Sequence, residues 1–326
     1  MDFKKEFEKE IKDVNRILEE LIPEEPKEVY GMLLEYIMRG GKRIRPILLL
    51  TTLQAFGGEY EKGLLPSAII EIFHNFTLIH DDIEDGSKFR RGKPTLHETY
   101  GIPIALNSGD ALYTLVWNTL NSLKINNKDE LIKLYGQTFQ EVVEGQGYDL
   151  WWERNEVFDL SEDDYLMLAR KKTGALMGLS VGMGVFLSGN EGMYAHFYEF
   201  GSALGVAFQI QDDLLNLFGD FKKYKKKIGD DITEGKRTLM VVYALNNLNK
   251  RKSKRLREIL KMHTSDEKLI LEAIQLIEES GARDYARDYA KRIVKKELDR
   301  IKQLLPKNEF SKKIERIAKF IIKREV

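Results

Sequence analysis

Asp81, Asp82, Glu84 and Asp85 crowd together in the stretch HDDIEDGSKFRRGKPT, just ahead of Arg90, Arg91 and Lys93. Residues four apart share a helix face, about 6 Å apart along the axis, so Asp81 and Asp85 project together while Asp82 lies roughly 100° round. Carboxylates sharing a face at a helix C-terminus repel one another and oppose the helix dipole. A hard cation such as Mg²⁺, which takes one or two carboxylates plus phosphate oxygens, removes that penalty. A solvated acidic helix end paired with Arg90 and Arg91 is the plainer reading. A second cluster, FQIQDDLLNLFGD, places Asp212, Asn216 and Asp220 at i, i+4 and i+8 with Asp213 beside them, and the lysine-rich stretch after it brings Lys227 and Lys236. Aspartates in so apolar a run are costly to bury unless a metal or a cation compensates. Here the plainer reading is a half-exposed helix with a solvated loop. Two acidic faces, each followed by a basic loop, favour a site for Mg²⁺ and diphosphate if the faces converge across a helical bundle.

The elements that must position these groups are helices, because apolar residues recur at the 3.6 period nearly throughout. Phe3, Phe7, Ile11, Val14, Leu18 and Leu21 trace a first amphipathic helix, closed by Pro23 and Pro26. A second is expected over 27–38, stopping at Gly40-Gly41, and a third starts near Arg45-Pro46, where proline suits the first turn. Pro66 is expected to open a long helix that ends near Asp85-Gly86. Residues 86–103 read as a loop with at most a short helix, and helices resume over 108–123 and 128–150. Ser161 with Asp164 reads as a helix cap. Apolar runs follow over 173–187 and 192–219, then a second polar loop over 221–235, a helix over 237–248 and further helices broken at Gly281. With no repeat or composition break, one all-α domain over 1–326 is expected.

Bulk composition narrows the function. The 326 residues are 43% hydrophobic, enough for a continuous core. Lysine plus arginine equals aspartate plus glutamate at 52 each, so no global field draws in nucleic acid and any anion site must come from local clustering. The absence of cysteine excludes disulfides, thiolate zinc sites and cysteine nucleophiles. The N-terminus lacks a signal-peptide core and no stretch reaches the ~20 apolar residues of a transmembrane span, so a cytoplasmic protein is expected.

From Gly40 to Thr238 an ordered series resembles the trans-isoprenyl diphosphate synthases, which include farnesyl and geranylgeranyl diphosphate synthases: GGKRIRP, HNFTLIHDDIED with RRGKPT, GQGYDL, the KTG of RKKTGAL, FQIQDD, and KKIGDD with GKRTL. The resemblance implies an antiparallel helical bundle around a deep central cavity, Mg²⁺ as cofactor, and usually a homodimer. By position, Asp81 and Asp85 match metal-binding aspartates with Asp82 alongside, and Asp212 matches that of the second motif, with Asp213 and Asn216 completing it. Arg90, Lys172, Thr173, Gln209, Lys227 and Lys236 match the allylic diphosphate site. Lys42, Arg45, His74 and Arg91 match the pocket for isopentenyl diphosphate. Gln146 and Asp149 match a supporting stretch near the metals. The family's allylic substrates are the dimethylallyl, geranyl and farnesyl diphosphates. Asn216 stands where most members have aspartate, keeping an oxygen but losing a charge.

Product length in the family depends on the fourth and fifth residues before the first acidic motif, here Thr77 and Phe76. One aromatic with a small neighbour resembles archaeal geranylgeranyl synthases and implies a twenty-carbon product, with farnesyl diphosphate as a lesser or co-product. A helical wheel places Thr77 about 40° from Asp81 and Phe76 about 140° away, so the role of Phe76 comes from the resemblance alone. A class I terpene cyclase also uses an acidic motif and Mg²⁺, but it has no second diphosphate and would leave Lys42, Arg45, His74 and Arg91 idle. A non-catalytic subunit of the same fold would have eroded aspartates, and both motifs here are largely intact.

Overall fold

The computed structural model describes residues 2–219 and 229–323. The described chain is helical apart from one two-stranded hairpin. Its longer helices are α1 (Glu8–Leu21), α2 (Ile44–Ala55), α3 (Tyr60–Glu84), α4 (Ile102–Ser122), α5 (Lys128–Arg154), α6 (Glu162–Ala169), α7 (Ala175–Leu187), α8 (Tyr194–Phe218), α9 (Leu239–Asn247), α10 (Lys250–Lys261), α11 (Glu267–Glu279), α12 (Ala282–Ile301) and α13 (Glu309–Ile322). Residues gather into two compact units: Met1–Gly136 with Leu179–Phe197 and Leu305–Ile314, and Gln137–Gly178 with Tyr198–Leu304 and Glu315–Val326.

In the first unit α3 packs on α1, α2 and α4. Nearly every residue of α2, from Ile47 through Leu50 to Leu53, is buried, as expected of a helix apolar on all sides. Gly63 lets α3 approach α2: a β-carbon there would stand 2.7 Å from a methyl of Leu53 and 2.9 Å from one of Leu50. That packing explains a departure from the expectation for Pro66. The helix begins at Tyr60, and Pro66 sits inside it. Proline costs a helix about 3 kcal/mol through its missing N–H and a ring clash, but here Leu64, Ala68, Ile69 and Ile70 bury on the same segment. Burial at ~1.5–3 kcal/mol per large side chain outweighs the cost. The Pro66 carbonyl also accepts a hydrogen bond from the Tyr135 hydroxyl at 2.9 Å.

Other boundaries move for local reasons. The expected helix over 27–38 is two short pieces, Lys27–Tyr30 and Leu33–Met38. α4 begins at Ile102 rather than near 108, because Pro103 sits in its first turn, where its missing N–H costs nothing. The expected loop over 86–103 contains strands β1 (Phe89–Arg90) and β2 (Lys93–Pro94) and a one-turn helix, Leu96–Tyr100.

In the second unit α6 opens with a full capping box: Ser161 accepts from the Asp164 N–H, and the Asp164 carboxylate accepts from the Ser161 N–H. The helix does not stop at Ala169. It passes through a π-helical turn, Arg170–Gly174, and continues as α7. Gly281, in the left-handed region, separates α11 from α12. No helix among the described residues is long and apolar enough to cross a membrane.

Candidate active site

The first acidic cluster lies at the C-terminal end of α3, with Asp85 capping the helix. Asp82 turns into the core and is 1% exposed. One of its oxygens accepts from the Tyr36 hydroxyl at 2.9 Å, the other from Arg90 Nε at 2.7 Å. Burial pushes the Asp82 carboxyl up, against the pull of Arg90. Asp82 is therefore the internal counter-charge of Arg90, while Asp81 stays half-buried with its carboxylate 3.5 Å from the same guanidinium. Asp81 and Asp85 remain the pair on the helix-end face.

Arg90 arrives on the hairpin. Arg90 and Lys93 pair across it, and the turn residues Arg91 and Gly92 both have positive φ, at 55° and 78°. Two such residues make the tight turn whose twist suits paired strands. The hairpin is tied down by Lys93 to Glu35 at 2.5 Å and by Arg39 donating to the Pro94 carbonyl at 2.6 Å.

Arg91 faces the turn before α2. A β-carbon on Gly41 would lie 3.2 Å from the Arg91 guanidinium, and the backbone at Gly41, with φ 115°, is one that favours glycine. Arg43, at φ 50°, is buried and fully engaged: it donates to Glu71 at 2.7 Å, to the Ile37 carbonyl at 2.8 Å and to Asn15 at 3.0 Å. Arg45, two residues on, keeps a buried Nε with no hydrogen-bond partner, and burial pushes its guanidinium down to about 10. His74, one turn along α3 from Asn75's partner Glu71, is driven well below the ordinary imidazole range by burial and then by Arg45, Arg91, Arg90 and Arg43. It is a neutral donor and acceptor among cations. Lys42 sits half-buried in the same turn. The first unit thus sets Arg45 and Arg91 in the field of one carboxylate, Glu71, which Arg43 already occupies, with His74 beside the arginines. A further anion would be well received there.

Phe76 and Thr77 lie one turn below Asp81. Thr77 donates within its own helix, to the His74 carbonyl at 2.8 Å. The Phe76 ring packs, tilted or edge-on, against Phe73 and His80 of its own helix and Tyr113 of α4, with centroids at 5.4, 4.7 and 5.1 Å.

The second unit organises its cations around Asp149. The carboxylate lies 2.6 Å from Lys172 Nζ and 3.4 Å from Lys236 Nζ, which also reaches Glu153 at 3.4 Å. Burial alone would raise Asp149, but the two lysines bring it down to about 2. Arg237 fixes the turn carrying Lys236, donating to the Val157 carbonyl at 2.7 Å and to the Gly235 carbonyl, with its guanidinium 3.8 Å from the Phe158 ring centre. A hydrogen-bonded chain runs alongside. Thr173 donates to Gln209 Oε1 at 2.8 Å, Gln209 Nε2 donates to Asp213 at 2.8 Å, and Tyr165 donates to the other Asp213 oxygen at 2.9 Å. Asp213 is buried, whereas its neighbour Asp212 is half-buried. Asn216 is buried and accepts from the Asp231 N–H at 3.2 Å, anchoring the start of the one-turn helix Asp230–Glu234. Gln146 is half-buried on α5. Lys227 and Asp220 lie outside the described residues.

Among the described residues no three carboxylate, imidazole or thiolate groups form a ready-made metal cage. A hard octahedral cation does not need one, since Mg²⁺ keeps waters and takes substrate phosphates. Oxygen donors at Asp81 and Asp85 on one face of a helix end fit such an ion.

Tyr36, Arg43, Glu71, Glu153 and Tyr165 support the site and were not singled out by motif. Glu71, a lone carboxylate in the apolar run AIIEIFHNF, carried a signal, because a buried charge demands a partner. Of the tandem Trp151-Trp152, Trp152 is buried but Trp151 is 63% exposed.

Known proteins resemble this chain over most of its length. Residues 26–277 match the family described as Polyprenyl synthetase. A short chain isoprenyl diphosphate synthase of Methanocaldococcus jannaschii is 41% identical over 254 residues, 77% of each chain. The crystal structure of a geranylgeranyl pyrophosphate synthetase from Pyrococcus horikoshii superposes with a TM-score of 0.92 at 33% identity, covering 99% of both chains. A polyprenyl synthase from Caulobacter crescentus, complexed with calcium and isoprenyl diphosphate, superposes with a TM-score of 0.89 at 26% identity over 99% of this chain and 97% of that one. The family match over residues 26–277, with likeness in sequence and in helical fold over most of the chain, shows that the chain belongs to the polyprenyl synthetase family.

Proposed function

We propose that this chain, acting as one catalytic domain and as a homodimer in the cytoplasm, condenses isopentenyl diphosphate with allylic diphosphates to give all-trans geranylgeranyl diphosphate. The observation that carries the reading is the pair of separate cation clusters, one around Glu71 and one around Asp149. A reaction with two diphosphate substrates needs two such places; a cyclase needs one.

Asp81, Asp85 and Asp212 are proposed to hold Mg²⁺, which when bound would neutralise charge on the leaving diphosphate. Arg90, Lys172 and Lys236, with Lys227, hold that diphosphate as the allylic C–O bond breaks. Thr173 and Gln209 are oriented by the chain through Asp213 to Tyr165. Arg45, Arg91, Lys42 and neutral His74 hold isopentenyl diphosphate with its double bond toward the allylic cation. A new carbon–carbon bond forms and a proton is lost. No side-chain nucleophile is required. Phe76, backed by Tyr113, is proposed as the floor that stops growth at twenty carbons. Tyr100, Ile102, Ile104 and Leu106, each 43–56% exposed, give a second copy of the chain an apolar surface to cover.

The test is incubation with labelled isopentenyl diphosphate, each allylic primer and Mg²⁺, with dephosphorylated products sized. A ladder ending at twenty carbons is expected. An end at fifteen carbons removes the product assignment, and no incorporation by folded protein removes the reaction.

A further inference from the structure

Lys172 and Thr173 are adjacent in sequence, yet they serve different helices. Lys172 reaches Asp149 on α5, and Thr173 reaches Gln209 on α8. The π turn Arg170–Gly174 carries both, and the extra residue in its wider ring shifts side-chain register relative to an α-helix. Each partner helix bears a glycine one turn before the residue that makes the contact: Gly145 before Asp149, Gly205 before Gln209.

Both glycines touch backbone rather than side chain. A β-carbon on Gly145 would stand 2.3 Å from the Lys172 nitrogen and 2.8 Å from its α-carbon. One on Gly205 would stand 2.6 Å from the Gly174 α-carbon and 2.8 Å from the Thr173 carbonyl oxygen. Comfortable carbon contacts need about 3.5–4.0 Å, so a methyl at either position must drive the turn away by about 1 Å. No flexible side chain is there to yield instead. Glu144, next to Gly145, adds an ion pair to Lys171 at 2.5 Å, which fixes the same turn to α5.

We infer that Gly145 and Gly205 are positioning residues: by admitting the π turn to direct backbone contact on both sides, they aim Lys172 and Thr173 at one allylic diphosphate before any substrate arrives. The inference rests on the assignment of those two side chains to that diphosphate. Packing of helices alone would equally use small residues, but it would not tie the two glycines to one substrate and spare the other.

The experiment compares Gly145→Ala and Gly205→Ala with Gly147→Ala, an exposed position on the same helix with nothing within 4 Å of an added β-carbon. Steady-state kinetics are measured for both substrates, and binding of inorganic diphosphate with Mg²⁺ is measured by calorimetry. Gly147→Ala should match wild type. A misplacement of about 1 Å can cost about 100-fold, so the other two should lose kcat by about 30- to 100-fold and bind diphosphate about 10-fold more weakly. The KM for isopentenyl diphosphate should stay within about threefold of wild type. Folded Gly145→Ala and Gly205→Ala proteins with wild-type kcat and diphosphate binding, or with equal losses for both substrates, overturn the inference. If alanine prevents folding, hydrogen exchange of the wild-type amides at 172–174 decides. Protection already present without ligand supports a preset turn, whereas protection that appears only with diphosphate refutes it. Failure of Lys172→Ala to weaken diphosphate binding would instead remove the underlying assignment.

Discussion

Asp149→Asn isolates the electrostatics of the second cluster. The wild-type carboxylate is buried yet charged because two lysines face it, and its drop from 3.8 to about 2 corresponds to about 2.5 kcal/mol in favour of the charged form. A depressed carboxylate contributes stability that is complete above its unfolded value of 3.8 and disappears as pH falls toward 2. At neutral pH the asparagine variant forfeits that contribution and leaves Lys172 and Lys236 without their shared partner. The expected loss is about 3 kcal/mol, the lower end for breaking a buried pair, since both lysines keep some contact with water. For a chain of this size that is a fall of about 5 °C in Tm. Diphosphate can replace the missing charge, so the rise in Tm on adding diphosphate and Mg²⁺ should be larger for the variant than for wild type. Thermal denaturation at pH 7 with and without ligand measures both. Equal ligand-free Tm values, or a ligand-induced rise no larger than wild type's, would refute the argument that Asp149 balances the charge of Lys172 and Lys236.

Three further outcomes follow from the geometry. His74 is held neutral by burial and its arginine neighbours, so the KM for isopentenyl diphosphate should be flat from pH 6 to 8, and stability should fall as pH drops below the ordinary imidazole value of 6.5; a kinetic step near 6.5 that His74→Gln abolishes would contradict this. Arg43→Met leaves Glu71 buried without its partner and should cost about 3–5 kcal/mol in denaturant unfolding, with much of the loss recovered in the Arg43→Met/Glu71→Gln double variant. Phe76→Ala should lengthen the product beyond twenty carbons in chain-length analysis, and an unchanged distribution would show that the ring is not the floor.

The helices were legible where apolar period and capping residues agree, as at Ser161, Gly281 and the first helix. They were misread where a strong local signal was overruled by packing. Pro66 looks like a helix start, but burial of its neighbours carries the helix back to Tyr60. The hairpin at 89–94 escaped because two-residue strands leave no alternation to detect. The π turn was illegible for another reason: TGALMGLSVGMGVFL is apolar on every face, so a one-residue shift in register leaves no trace in the pattern. The acidic and basic motifs were readable from residue types, but the division of labour within them was not. That Asp82 faces inward to Tyr36 and Arg90 while Asp81 stays half-buried depends on partners drawn from distant segments.

The hairpin seats two consecutive arginines in different surroundings, Arg90 on the aspartates of α3 and Arg91 beside Gly41. Arg91 and Gly92, the turn residues, both have positive φ, and a single peptide joins Arg90 to Arg91, so on the proposed assignment a diphosphate that draws Arg90 off Asp82 would be felt at Arg91. Thermodynamic reciprocity then requires that whatever one substrate does to the affinity of the other is returned in equal measure. Loading order can change the rate at which the ternary complex assembles, but not its total binding free energy. If Arg90 and Arg91 hold the two diphosphates as proposed, cross-talk between the substrates is a property of two neighbouring side chains, adjustable by a single mutation in the turn.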